Sequence, residues 1–400
     1  MALEEKIDET LAAADAPAPD SGKKPDSPPR LSGASWKYAA KRSVREFLSD
    51  GGTDLAAMLT YFTVLSLAPS ALAVFSIISL VLANNAESVT LLAEDFTATY
   101  VPVDYQGLVL DLIDTVTVST TGGILALIIG VATALWSASA YVKAFSRSAN
   151  TIYERAEGRG IIKLTGTMLV TTLALLLGIV LILISLILNE TVVTGLLGPV
   201  AGSLGLTGVL DFLMGTFLPV WTWVKWPVIL ALLIGLVAML YYYTPNVRQP
   251  KFRWVSIGSI VAILGIILAA GLLYLYFAYV GGYSSYGTVG GVMALLFTLW
   301  VFNIVLLLGL EIDAEVERAR QLQGDIAAED NIQLPPRDTA QVEKQRKVRE
   351  RLTSEGRELR AAHNRADRHD DSDEEEGKRE PAAPEAEGRD SSESTAHRPE

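Results

Sequence analysis

Two long apolar runs, Trp254–Tyr279 and Gly287–Leu310, flank a short Gly/Tyr/Ser turn near the middle of the chain's second half. A hydrocarbon core of about 30 Å needs about 20 helical residues at ~1.5 Å each, and both runs exceed that. Backbone groups in lipid must be satisfied within the segment, so runs of this kind are helices. Four more apolar windows precede them, at Leu59–Ala83, Ile124–Val142, Leu164–Leu188 and Phe217–Tyr243. The sequence therefore predicts an all-α polytopic membrane protein with six transmembrane helices, occupying residues 35–320.

The polar ends are expected to be different. Residues 1–34 are rich in Ala, Pro, Asp and Lys without periodicity, and are expected to form a disordered cytoplasmic N-terminus. Residues 321–400 form a charged tail, expected to be mostly disordered, with a short helix over Val342–Ala361. The net charge of −12 owes much to this tail: Asn364–Glu400 holds thirteen acids against six Lys/Arg. The chain has no basic surplus to attract nucleic acid. It has no cysteine, and its three histidines, His363, His369 and His397, all lie in the tail. That removes disulfides and thiolate chemistry, and it takes the usual general base and metal ligands out of the membrane domain. No cofactor is expected.

Between the disordered start and the first span, Ser35–Leu48 interleaves Trp36, Tyr38, Val44, Phe47 and Leu48 with Lys37, Lys41, Arg42 and Arg45. That pattern predicts an amphipathic helix lying in the membrane interface. In the first span Pro69 removes a backbone donor, and Ser66 is placed to answer the freed carbonyl. Orientation follows from charge. The segments Lys37–Arg45, Lys143–Lys163, Arg248–Arg253 and Arg318–Arg320 hold fourteen Lys/Arg, and the alternate loops hold one, Lys225. Both termini are therefore expected in the cytoplasm.

A few polar residues stand out as candidates for substrate binding or gating. Glu311 closes the last span, where a carboxylate is costly unless it meets water or a partner. Lys143 and Arg147, one turn apart, share a helix face with Asn150, a pattern suited to a phosphate or carboxylate headgroup, and either cation suits Glu311. Asn303 in the last span suits hydrogen bonding between helices. Tyr286-Gly287 and Pro245-Asn246 read as structural turns.

Four stretches in order resemble one family. They are AAMLTYFTVLSLAP at Ala56–Pro69, GVATALWSASAYVKAFSRSANTIY at Gly130–Tyr153, YYYTPNVRQP at Tyr241–Pro250, and SYGTVGGVMALLFTLWVFNIVLLLGLEIDAE at Ser285–Glu315. This set is similar to the YihY / virulence factor BrkB family of bacterial inner-membrane proteins, formerly misnamed ribonuclease BN. The resemblance implies a six-helix protein of the bacterial cytoplasmic membrane and no particular chemistry. The expected function is transport or flipping of a lipid-like or amphiphilic substrate, with membrane lipids as partners. A non-transporting scaffold or assembly factor is the alternative, and an enzyme ranks last.

Overall fold

The last apolar run does not stop where its hydrophobic residues do. In the computed structural model of the chain it forms part of a single 37-residue helix, Gly287–Gln323. The structure describes residues 3–81, 123–189, 207–250, 252–279 and 287–377, with a few isolated positions between them. Regular structure among these residues is helical, apart from one isolated bridge between Val247 and Pro336. The chain divides into two units, Met1–Glu343 and Lys344–Glu400.

We label the principal helices α1 (Leu3–Ala12), α2 (Gly33–Ser49), α3 (Gly52–Val81), α4 (Gly123–Ile152), α5 (Ile161–Ile187), α6 (Leu218–Tyr243), α7 (Phe252–Tyr279), α8 (Gly287–Gln323) and α9 (Ala340–Gly377). A short helix, Thr207–Phe212, and a π-helical turn, Leu213–Phe217, lead into α6. Four stretches among the described residues are long and apolar enough to cross a membrane: Ile161–Ile187, Thr207–Tyr243, Ile257–Tyr279 and Val289–Gln323. The other two expected spans fall on α3 and α4. Each is 30 residues long, and their side chains are described only in part.

Small residues and one amide set the packing of the bundle. Gly258 of α7 and Gly309 of α8 face each other so closely that a Cβ on Gly258 would lie 2.1 Å from the Gly309 carbonyl oxygen. Without side chains between them, two helix backbones approach to near contact. Asn303 of α8 ties three helices. Its Nδ2 donates to Leu299 O at 2.9 Å and to Thr60 Oγ1 at 3.3 Å, and its Oδ1 accepts from Tyr141 Oη at 3.1 Å. Trp300 Nε1 donates to Thr53 O at 3.1 Å. α3 runs helically through Pro69. Ser66 does not serve the carbonyl freed there: its hydroxyl donates to Thr63 O at 3.0 Å.

α2 packs on the far part of α8. Ser32 N and Ser35 Oγ donate to Gln323 Oε1 at 2.9 and 3.0 Å, while Arg42 Nε lies 3.1 Å from Glu315 Oε2. Numbers rise along one helix as they fall along the other, so the pair is antiparallel. α2 buries Ala39, Ser43 and Phe47, with Ala39 among Val316 and Ala319. A helix antiparallel to α8 follows the direction of α8, not the plane of a membrane that α8 crosses. The interfacial helix expected over Ser35–Leu48 is thus a buttress on α8. Its amphipathic pattern meets protein, and Val44 and Leu48 remain exposed.

The N-terminal stretch expected to be disordered is folded. α1 and two 3-10 turns, Ala13–Asp15 and Pro28–Arg30, lead into α2. Ile7, Thr10, Ala13, Lys24 and Leu31 are buried. α9 is 38 residues long, begins within the first unit and passes the expected helix end at Ala361. From Arg346 to Asn364 it is exposed on all sides and carries the charge pairs such helices use, as in Arg346 with Glu350. The tail beyond Gly377 and the turn residue Tyr286 lie outside the described residues.

Candidate functional site at the polar end of the bundle

Past Leu310, α8 carries Glu311, Asp313, Glu315, Glu317, Arg318, Arg320 and Gln321, and every one of them is buried. Charges survive burial only when paired and hydrogen-bonded, and most of these are. Arg318 Nε donates to Glu315 Oε1 at 3.0 Å, its Nη2 to Glu154 Oε1 at 3.2 Å, and its Nη1 to the carbonyls of Ala328 and Asp330. Arg320 Nη1 donates to Glu317 Oε2 at 2.9 Å and to Pro19 O at 3.0 Å, and Nε to Pro25 O at 2.7 Å. Gln321 joins Glu317 to the chain at Gln333.

A second knot closes the turns between helices. Arg159 pairs with Glu157 at 2.7 Å and donates to Thr244 O at 2.7 Å and Ser146 Oγ at 3.2 Å. Asn150 Nδ2 donates to Glu157 Oε2 at 2.9 Å, and its Oδ1 accepts from Asn246 N at 2.7 Å. Asn246 Nδ2 donates in turn to Ala156 O at 2.9 Å and Asp338 O at 3.1 Å. The Pro245-Asn246 turn is therefore a hub between α4, α6 and the segment before α9. Arg337 donates to Val247 O and Tyr242 O.

Two carboxylates stand apart. Asp313 Oδ1 accepts from Gly258 N at 2.6 Å, but its Oδ2 has no hydrogen-bond partner. Glu311 is 1 % exposed, and its Oε2 has no partner either. The charged groups that act on Glu311 most are Asp50, Glu315, Glu46 and Glu154, all acids. Arg42, paired with Glu315 and with Glu46 at 3.3 Å, reaches that stripe, but no ion pair among the described residues includes Glu311. At the turn between α2 and α3, burial and the nearby Glu154 push the Asp50 carboxyl up to about 6, against the pull of Lys6.

The structure separates the candidates that sequence spacing grouped. Lys143 and Arg147 do not meet Glu311. Lys143 Nζ lies 4.3 Å from the centre of the Trp136 ring, and the Arg147 guanidinium lies 5.3 Å from that of Phe62. Asn150 turns away from them into the α4–α5 connection. Ser66 and Asn303 form hydrogen bonds within and between helices, and Pro69 lies inside α3. Arg159, Arg318 and Arg320 were legible only as topology charges. The Glu-x-Arg and Glu-x-x-Arg spacings at 157, 315 and 317 are the one local trace of their pairing. Among the described residues no three His, Cys, Asp or Glu side chains gather as a metal site.

The family profile described as Virulence factor BrkB matches residues 43–332. The ribonuclease-like protein YfkH of Bacillus subtilis (strain 168) is 27 % identical over 274 residues, covering 68 % of this chain and 92 % of that protein. No solved structure matches the chain.

Proposed function

Since the chain belongs to the Virulence factor BrkB family of membrane proteins, we propose that it transports or flips a lipid-like, amphiphilic substrate across the bacterial cytoplasmic membrane. In this reading it has six spans, with both termini in the cytoplasm. Glu311 carries the reading. A carboxylate that is 1 % exposed, has an unpartnered oxygen and faces other acids is expensive as packing. Such a group serves a protein that loads and releases a proton or a cationic group at that point. The pairing of the surrounding charges supports this, because the cap around Glu311 has cations and uses them elsewhere.

The test is lipid movement in proteoliposomes, read as loss of fluorescent lipid signal to an external quencher. The wild type is expected to exceed empty vesicles, and Glu311→Gln to fall back toward them. Folded wild type that moves no lipid would overturn the flipping reading. Movement unchanged in Glu311→Gln would remove Glu311 from it.

One observation favours a second reading, a non-transporting scaffold. Lys24, Arg159, Arg318 and Arg320 are buried and paired with acids, and the three arginines also donate to backbone carbonyls of other segments, which makes a rigid head at one end of the bundle. The ribonuclease-like name belongs to the Bacillus protein, and it supports no enzymatic reading of the residues here.

A further inference from the structure

Most buried cations at the polar end of this bundle have an acid within ion-pair distance. Half-buried Lys143 and exposed Arg147 do not: each rests on an aromatic ring, Trp136 and Phe62 respectively, and no ion pair among the described residues reaches them. Lys143 is not folded into the core, and Arg147 is exposed. The direction of Lys143 matters. Side chains on a helix lean toward its N-terminus. α4 ends in the polar cap, so the amine reaches back over Trp136, which lies two turns (about 10 Å) nearer the apolar part of the helix. A lysine near a membrane surface ordinarily extends toward water. This one is held pointing the other way.

The surroundings match one kind of molecule. Trp136 is 57 % exposed and Tyr61, on the adjoining helix, is 63 % exposed. Amphipathic rings meet headgroups near the ends of spans: Tyr61 stands near the start of the first expected span, and Trp136 lies further inside the second. One turn from Tyr61, deeper along α3, Val64 and Leu65 are exposed and apolar. Two cations outside any ion pair among the described residues, each set against a ring, with exposed apolar side chains on the adjoining helix, complement an anionic head with acyl chains. We propose that Lys143 and Arg147, flanked by Tyr61 and Trp136, hold the phosphate headgroup of an anionic phospholipid on the outer face of α3 and α4. The inference builds on the transport reading, for which it names the substrate class.

The probe is native mass spectrometry of the full chain in detergent, titrated with phosphatidylglycerol or with phosphatidylcholine of the same chains. The wild type is expected to retain phosphatidylglycerol preferentially. The double variant Lys143→Gln/Arg147→Gln is expected to lose about tenfold or more of that affinity while its phosphatidylcholine binding is unchanged. Lys225→Gln is the control: its amine also sits over a ring, that of Trp226 at 5.6 Å, at the opposite end of the bundle. It is expected to leave binding as in wild type. Equal retention of the two lipids by wild type, or full phosphatidylglycerol affinity in the double variant, would overturn the site. If the double variant does not fold, Lys143→Arg is expected to keep the preference, and added salt to weaken it in wild type. A preference indifferent to salt overturns the proposal. Headgroup binding without lipid movement would leave the site standing and the transport reading refuted; movement without headgroup preference would do the reverse.

Discussion

Lys24 Nζ donates to Glu317 Oε1 at 2.9 Å across 293 positions of the chain, and both side chains are nearly fully buried. Glu317 also holds Arg320 and Gln321, so it is one acceptor through which the N-terminal stretch is fastened to α8. Removing it leaves two buried cations without that carboxylate. Glu317→Ala is expected to cost roughly 3–5 kcal/mol, the range for a buried pair broken from one side. Lys24→Ala is milder, about 2 kcal/mol, because Glu317 keeps its other donors. Thermal melts of purified protein in one detergent check both, and equal small losses would refute the ranking.

The contact between α7 and α8 gives a steric prediction. A Cβ on Gly258 would meet the Gly309 carbonyl at 2.1 Å and the Asp313 carboxyl carbon at 2.6 Å. A methyl group there must push the helices apart and strain the Gly258 N to Asp313 Oδ1 bond. Gly258→Ala is expected to lose about 2 kcal/mol or more, within the range for overpacking. Gly271→Ala on the same helix meets nothing within 4 Å and is the matched control. With no clash it is expected to gain a little from helix propensity.

What the sequence made legible was whatever depends on local pattern. The apolar runs of α5, α6, α7 and α8 announce themselves by length, and the Asn303 amide and the Pro245-Asn246 turn could be read as structural from residue type alone. The cap could not be read. Residues 1–34 look like a disordered N-terminus because they are poor in apolar side chains. From Leu3 onward the stretch folds because Thr10, Asp20 and Lys24 find partners at Ala156, Arg320 and Glu317. No window sees an interaction of that range. The pattern of α2 misled for a related reason: the same spacing of apolar and basic residues fits a membrane surface or a neighbouring helix. Lys143 and Arg147 lie one turn apart on α4, yet their neighbours are rings, which charge counting ignores.

Arg159 and Lys163 are close in sequence but differ in burial, and mutation will separate them. Arg159 is 2 % exposed and joins Glu157 to the end of α6 through Thr244 O and Tyr243 O. Arg159→Ala strands buried acceptors and is expected to cost about 3 kcal/mol or more. Lys163 pairs with Asp338 at 2.7 Å, but its side chain is 59 % exposed. Lys163→Ala is expected to cost less than about 1 kcal/mol and to matter less at high salt. Denaturation of both variants at low and high ionic strength reads the difference.

Asp50 and Asp338 should respond to pH in opposite senses. Burial and Glu154 raise the Asp50 carboxyl from its ordinary value to about 6. The folded protein therefore holds that proton more tightly than the unfolded chain, and its contribution is fully present below about pH 4 and lost as pH rises through 6. Asp50→Asn keeps the shape of the group and never ionises. Relative to wild type it is expected to gain stability progressively between pH 4 and pH 7 and to hold that gain above. The Lys163 amine and the Ala340 N–H hold Asp338 below its ordinary value. Its contribution is present at neutral pH and fades as pH falls through that lowered value. Asp338→Asn is therefore expected to be the less stable protein at pH 7 and to converge on wild type in acid. Melting temperatures of wild type and both variants from pH 3 to pH 8 test the pair together. Difference curves of the same sign would show that one of the two carboxylates has been given the wrong environment.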